Sequence, residues 1–178
     1  MLRTEFRRMN PDLTALVAQV HQQLLRRAET VAVAESLTGG LLSAALSKPP
    51  GASQIFRGGL VVYATDLKAH LAGVDEGLLA RVGAVHPDVA AQLATGAARR
   101  LGADWGIGVT GVAGPDRQDG QPVGLVFIGI CPPAGIRADR VADVRRLLAD
   151  GGRSDIRHQS VASCLRWLLE AIGDQPAR

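Results

Sequence analysis

The spacing of hydrophobic positions changes several times along this chain, and each change marks an element. Leu13, Leu16, Val17, Val20, Leu24 and Leu25 recur at helical intervals, which predicts an amphipathic helix from an Asn10-Pro11 cap to about Arg27. The β-branched run at 30–34 predicts a buried strand, and a small-residue helix is expected over 41–47, ended by Lys48-Pro49-Pro50-Gly51. Residues 59–64, 105–109 and 124–130 read as three more strands. At 141–148 polar residues alternate with apolar ones, as in an edge strand. Short helices are expected around Lys68, capped by Thr65 or Asp66 and stopping before Gly73, and over 75–82. A longer one at 87–101 carries Val89, Leu93, Ala97 and Leu101 on one face. Ile156, Ser160, Cys164, Trp167, Leu168 and Ala171 mark a last helix. A Gly/Pro-rich loop fills 110–122, and there is neither an internal repeat nor a linker. Strands alternating with helices, then two adjacent strands late in the chain, predict an α/β fold with a mixed β-sheet covered by helices.

A chain of 178 residues fits one domain, and its 47% hydrophobic and 21% charged residues argue against disorder. No apolar run reaches the ~20 residues needed to span a bilayer, so no membrane partner is expected. The basic segment 1–10 lacks the apolar stretch of a secretory signal, which points to the cytoplasm. Cys131 and Cys164 lack CxxC spacing and read as reduced, partly buried thiols. The histidines at 21, 70, 86 and 158 show no metal-ligand spacing, so neither a metal nor a cofactor is expected; His86, before Pro87, reads as a helix cap. With a net charge of only +3, dispersed basic residues and 3% aromatics, the chain lacks the basic stripe and stacking platform of a nucleic-acid binder. Of its 20 basic residues only Lys48 and Lys68 are lysines, and lysine, unlike arginine, can shed its proton.

Four segments hold groups suited to chemistry. In 34–40 (AESLTGG), between a strand and a helix, the free N–H groups of a helix start could hold an anion or oxyanion beside Ser36. Ser36 or Thr38 could equally be a plain helix cap. In 58–68 (GGLVVYATDLK), Tyr63 ends a strand and Lys68 opens the next helix, the end of an open sheet where sites form. Lys68 is either a proton acceptor, if burial and a helix dipole lower its affinity for a proton, or a solvated surface residue. The glycine-rich 109–124 segment, with Thr110, Gly111 and Gly114, is either a nest for phosphate or a flexible connection. Arg153 and Arg157, four apart, either grip a phosphate together or form a solvated basic face.

Taken in order, AES-x-TGG at 34–40, GG-x-V-x-Y-x-x-x-x-K at 58–68, GAV at 83–85, TG-x-AGP at 110–115, PVG at 122–124 and R-x-x-I-R at 153–157 resemble the CinA C-terminal family. The resemblance covers a core of about 11–172 and implies one CinA C-terminal-like domain over 1–178. Larger family members carry a molybdopterin-binding-like N-terminal domain, which is expected to be absent here. Stand-alone (PncC-like) members are nicotinamide-mononucleotide deamidases. The resemblance therefore implies a metal-independent amidohydrolase of pyridine-nucleotide recycling, without a cofactor, acting as a dimer on a small-molecule nucleotide. It puts the nucleophile on Ser36 and proton handling on Lys68 and Tyr63. Donors around Thr38, Gly39 and Gly40 would hold the oxyanion, while Thr110, Gly111, Gly114, Arg153 and Arg157 would hold the nucleotide end. Three positions depart from the family pattern: Leu37 replaces cysteine, Thr65 replaces asparagine, and Gly152 replaces the aspartate of Gly-Asp-Arg. The missing aspartate and the altered cap keep open a non-catalytic CinA-like protein that binds pyridine nucleotides or a partner through the same cleft.

Overall fold

The computed structural model describes residues 13–133 and 142–174; the expected Asn10-Pro11 cap and Val141 lie outside them. Helix α1 (Leu13–Arg27) buries Val17, Val20 and Leu24, the stripe its spacing predicts. It leads into β1 (Val31–Glu35), buried at every position, and then α2 (Leu41–Ser47). After a 3₁₀ turn at Ala52–Gln54 come β2 (Phe56–Val61), α3 (Thr65–Ala72), α4 (Glu76–Val82) and α5 (Pro87–Leu101). The strands β3 (Trp105–Gly111), β4 (Leu125–Cys131) and β5 (Asp143–Leu148) precede the terminal helix α6 (Arg153–Gly173). The sheet runs β2-β1-β3-β4-β5; β1 is parallel to β2 and β3, whereas β4 is antiparallel to β3 and β5. This is the mixed α/β sheet expected, with β5 at the edge.

The period-two alternation of β1 explains the two helical layers. Val31 and Val33 pack with Val20, Leu24, Leu42, Leu46, Leu165 and Leu168, in the layer of α1, α2 and α6. Ala32 and Ala34 face the other way, toward Ala72, Leu78, Val89, Leu93 and Ala97 in the layer of α3, α4 and α5. Small residues on that face bring α5 against the sheet backbone. A Cβ on Gly106 would stand 2.0 Å from the Ala94 carbonyl oxygen, and one on Gly108 would stand 2.4 Å from that of Ala90.

Several element ends differ from expectation. β3 continues through Thr110 and Gly111 because they pair with Phe127 and Val126 of β4, so the loop begins at Val112. The N-cap of α3 is Ala64, without a side-chain bond, and Thr65 and Asp66 lie in its first turn. Asp75 caps α4, accepting from Leu78 N–H at 2.6 Å. His86 caps α5, its Nδ1 accepting from Asp88 N–H at 3.2 Å. Cys131 and Cys164 form no disulfide and are both fully buried where partial burial was expected. Among the described residues no helix is long and apolar enough to cross a membrane.

Candidate active site

The loop between β1 and α2 is shaped by Glu35, which is not among the candidates that the sequence singles out. Its carboxylate sits on the start of α2 and accepts from the N–H groups of Gly40 (3.0 Å), Leu42 (3.1 Å) and Ser43 (2.8 Å), and from the Ser43 hydroxyl (2.6 Å). The helix end expected to receive an anion therefore already holds one. Gly39 N–H donates to the Ser36 carbonyl, so neither Gly39 nor Gly40 has an N–H to offer an oxyanion. Both glycines have left-handed backbone, φ 56° and 94°, which the tight turn after Ser36 requires. Strand alternation turns Glu35 and Leu37 toward the α1–α2–α6 layer and Ser36 toward the α3–α5 layer. Ser36 keeps 9% of its surface, whereas Glu35 and Thr38 keep none, so of these polar residues Ser36 is the least enclosed. The Thr38 hydroxyl is buried without a partner.

Lys68 reaches this loop through the end of a β-ladder. Val62 N–H donates to the Glu35 carbonyl at 2.8 Å; were β1 to continue, Leu37 N–H would donate to the Val62 carbonyl next. The chain leaves the sheet instead, after Ser36 N–H has bonded the Val109 carbonyl at 3.0 Å. Lys68 Nζ takes the vacated acceptor, donating to the Val62 carbonyl at 2.8 Å and the Tyr63 carbonyl at 3.1 Å. The amine thus lies beside the level of Ser36 and Leu37, with 1% of the residue exposed. Burial pulls its pKa from 10.5 down to about 8, against the nearby carboxylates of Asp119 and Asp66, which favour the charge. A neutral amine has two N–H bonds and one lone pair. The two carbonyls occupy both N–H bonds and leave the lone pair directed elsewhere. The surface-residue reading of Lys68 is thereby corrected: the side chain is enclosed.

Around this pair stand the remaining residues singled out from the sequence. Tyr63 is 55% exposed, and its hydroxyl accepts from Arg153 Nη2 at 2.6 Å. Lys68 touches the main chain of Tyr63, so no Lys68–Tyr63 side-chain relay is formed. Arg153 Nη1 also donates to the Gly114 carbonyl at 2.6 Å, linking the end of β2, the loop after β3 and the start of α6. Arg157 does not join Arg153 in an open pair; its Nε donates to the Leu37 carbonyl at 3.0 Å and its Nη2 to that of Thr38 at 2.8 Å. Thr110 is buried and donates to the Ala84 carbonyl at 2.7 Å. A Cβ on Gly111 would meet the Leu125 carbonyl oxygen at 2.6 Å, so that glycine serves the β3–β4 pairing. Asp119 accepts from Ala84 N–H at 2.8 Å, pinning the long loop to the Gly83-Ala84-Val85 turn and setting its charge toward Lys68. Nothing in the local sequence marks Asp119, which acts across 35 residues. Glu35 had a signal, an acidic residue just ahead of a helix start. Among the described residues no group of three or more His, Cys, Asp and Glu could hold a metal ion.

The chain is 49% identical over 153 residues to a CinA-like protein of Frankia casuarinae, covering 86% of this chain and 34% of that protein. It is 39% identical over 162 residues to a putative competence-damage inducible protein of Halothermothrix orenii, covering 90% and 38%. The chain thus spans about a third of the length of the curated relatives it matches. Among solved structures, a CinA superfamily protein from Klebsiella pneumoniae superposes with a TM-score of 0.86 at 26% identity, over 93% of this chain and all of the other (100%). A competence/damage inducible protein from Agrobacterium tumefaciens gives 0.83 at 32% identity, over 92% and 97%. With the CinA C-terminal domain model matching residues 13–172, this chain belongs to the CinA C-terminal domain family.

Proposed function

We propose that this chain hydrolyses the carboxamide of nicotinamide mononucleotide, giving nicotinic acid mononucleotide and ammonia, with Ser36 as nucleophile and Lys68 as its base. The observation that carries the reading is the enclosed amine of Lys68. It is held by two carbonyls at the end of the β1–β2 ladder, at the level where β1 gives way to the Ser36 loop, with its pKa lowered to about 8. In the neutral form its lone pair takes the Ser36 proton as Oγ bonds the amide carbon. The protonated amine returns that proton to nitrogen as the C–N bond breaks and ammonia leaves. Water then attacks the acyl-enzyme, passing a proton through Lys68 back to Ser36. The rim of Tyr63 and Arg153 would receive the nucleotide end, whose binding aligns the amide.

The test is ammonia release from nicotinamide mononucleotide. Ser36→Ala is expected to lower it by roughly 10⁴-fold or more, and equal rates would remove Ser36 from the mechanism. Because the base must be neutral, kcat/KM should rise with pH to an inflection near 8. Full turnover by Lys68→Arg at pH 8 would exclude the proton-acceptor role. Calorimetric binding of the nucleotide with no product over hours would instead make the chain a binding protein.

A further inference from the structure

Two main-chain N–H groups in the loop after β1 have no protein acceptor among the described residues, those of Leu37 and Thr38. The next five are occupied: Gly39 donates to Ser36, Leu41 to Thr38, and Gly40, Leu42 and Ser43 to the Glu35 carboxylate. Behind the loop lies Arg157, in the second turn of α6, half-buried and 3.1 Å from where a Cβ on Gly39 would stand. Its bond to the Leu37 carbonyl matters because that carbonyl and the Thr38 N–H are two ends of one peptide group. In a trans peptide they point in opposite directions. The guanidinium approaches from the α6 layer, so the Thr38 N–H is aimed away from it. That is the direction in which Ser36 is turned and from which Lys68 enters.

We infer that Arg157 is a positioning residue for the Ser36 reaction: it polarises the Leu37–Thr38 peptide so that the Thr38 N–H, with that of Leu37, receives the oxygen of the attacked carbonyl. The inference rests on the acyl-transfer reading above. A charged donor on a carbonyl draws electron density through the peptide and strengthens the opposite N–H as a donor. As the Ser36 Oγ–C bond forms, the π pair of the carbonyl becomes a lone pair on its oxygen while the Ser36 proton passes to Lys68. The new charge then meets a donor primed before the substrate arrives. Arg157 accordingly acts on the rate of attack and not on the grip on phosphate, the role its spacing with Arg153 first implied.

The experiment compares wild type, Arg157→Lys and Arg157→Gln in three measurements: kcat and KM for nicotinamide mononucleotide, the pH profile, and the rate at which a fluorophosphonate probe modifies Ser36, followed by intact mass. Lysine keeps the charge but loses the two-pronged donor, and thermal melting confirms that each variant folds. Both variants should lose roughly 10- to 100-fold in kcat, part of what removing a whole oxyanion donor costs. KM should stay within about twofold and the pH inflection should not move. Probe labelling should slow by the same factor as kcat. Should Arg157→Gln not fold, Arg157→Lys carries the comparison alone. A rise in KM with kcat and labelling intact would make Arg157 a phosphate ligand and overturn the inference, as would unchanged kinetics throughout. Wild-type protein that is labelled at Ser36 but releases no ammonia would defeat the proposed substrate while leaving the Arg157 comparison to be read from labelling. Wild-type protein not labelled at Ser36 would sink both.

Discussion

Among the described residues Lys68 is, after Trp105, the bulkiest side chain fully enclosed, and enclosing a basic group has a thermodynamic signature. Its pKa is about 8 in the folded state and near 10.5 when hydrated, so between those values the unfolded chain binds the extra proton. Stability contributed by this site must therefore rise with pH from about 8 to 10.5; below 8 both states are charged and the folded one bears the desolvation cost. Urea unfolding of wild type and Lys68→Met across that window should show the wild type gaining on the variant as pH rises. A constant difference would mean the amine is solvated. The scarcity of lysine singles this residue out, and a place between a strand and a glycine-rich helix start singles out Ser36. Composition and pattern leave both readings of each open, and only the resemblance to the family implies their roles. The work of Arg157 was not legible: its partners lie 119 and 120 residues away, and spacing along a helix says which side chains share a face, not what that face meets. Gly39 and Gly40 misled for a related reason. A helix start looks like an empty anion site until a carboxylate five residues back is seen to fold onto it.

At the scale of elements, apolar periodicity located every helix and strand, and most errors lay at ends set by distant partners. The last two residues of β3 are strand because β4 pairs with them, and no local propensity announces that. The 3₁₀ turn at Ala52–Gln54 is too short to have a period. Glycines inside helices were equally silent, and Gly96 shows why they matter. A Cβ there would lie 1.8 Å from the Ala72 carbonyl oxygen, where α5 crosses the end of α3. Alanine for glycine in an open helix gains about 1 kcal/mol, but Gly96→Ala is expected to cost about 1–3 kcal/mol net by forcing the helices apart. Denaturant unfolding reads this directly, and a stabilised variant would contradict the close crossing. Because α3 carries Lys68 one turn before Ala72, the same variant should also lose turnover.

For the whole molecule, the alternation of strands and helices with a late pair of adjacent strands was enough to predict a mixed sheet. The strand order was not, since it depends on which side of β1 each crossover returns. That order puts β1 between β2 and β3 and lets its end receive the Lys68 amine from one helical layer and the Arg157 guanidinium from the other. Lys68 arrives from above the sheet, so to speak, and Arg157 from below, and they meet at the five-residue turn at 36–40, with the Arg153–Tyr63 hydrogen bond as a second tie between α6 and the link to α3. Small openings of either layer, which need far less free energy than global unfolding, would separate Ser36 from Lys68 by the ångström or so that the proposed chemistry does not tolerate. In a urea series, ammonia release should fade at lower concentrations than the far-ultraviolet helix signal, and coincident curves would refute this. Turnover would then be the most sensitive gauge of whether both coats of helix remain docked on their common sheet.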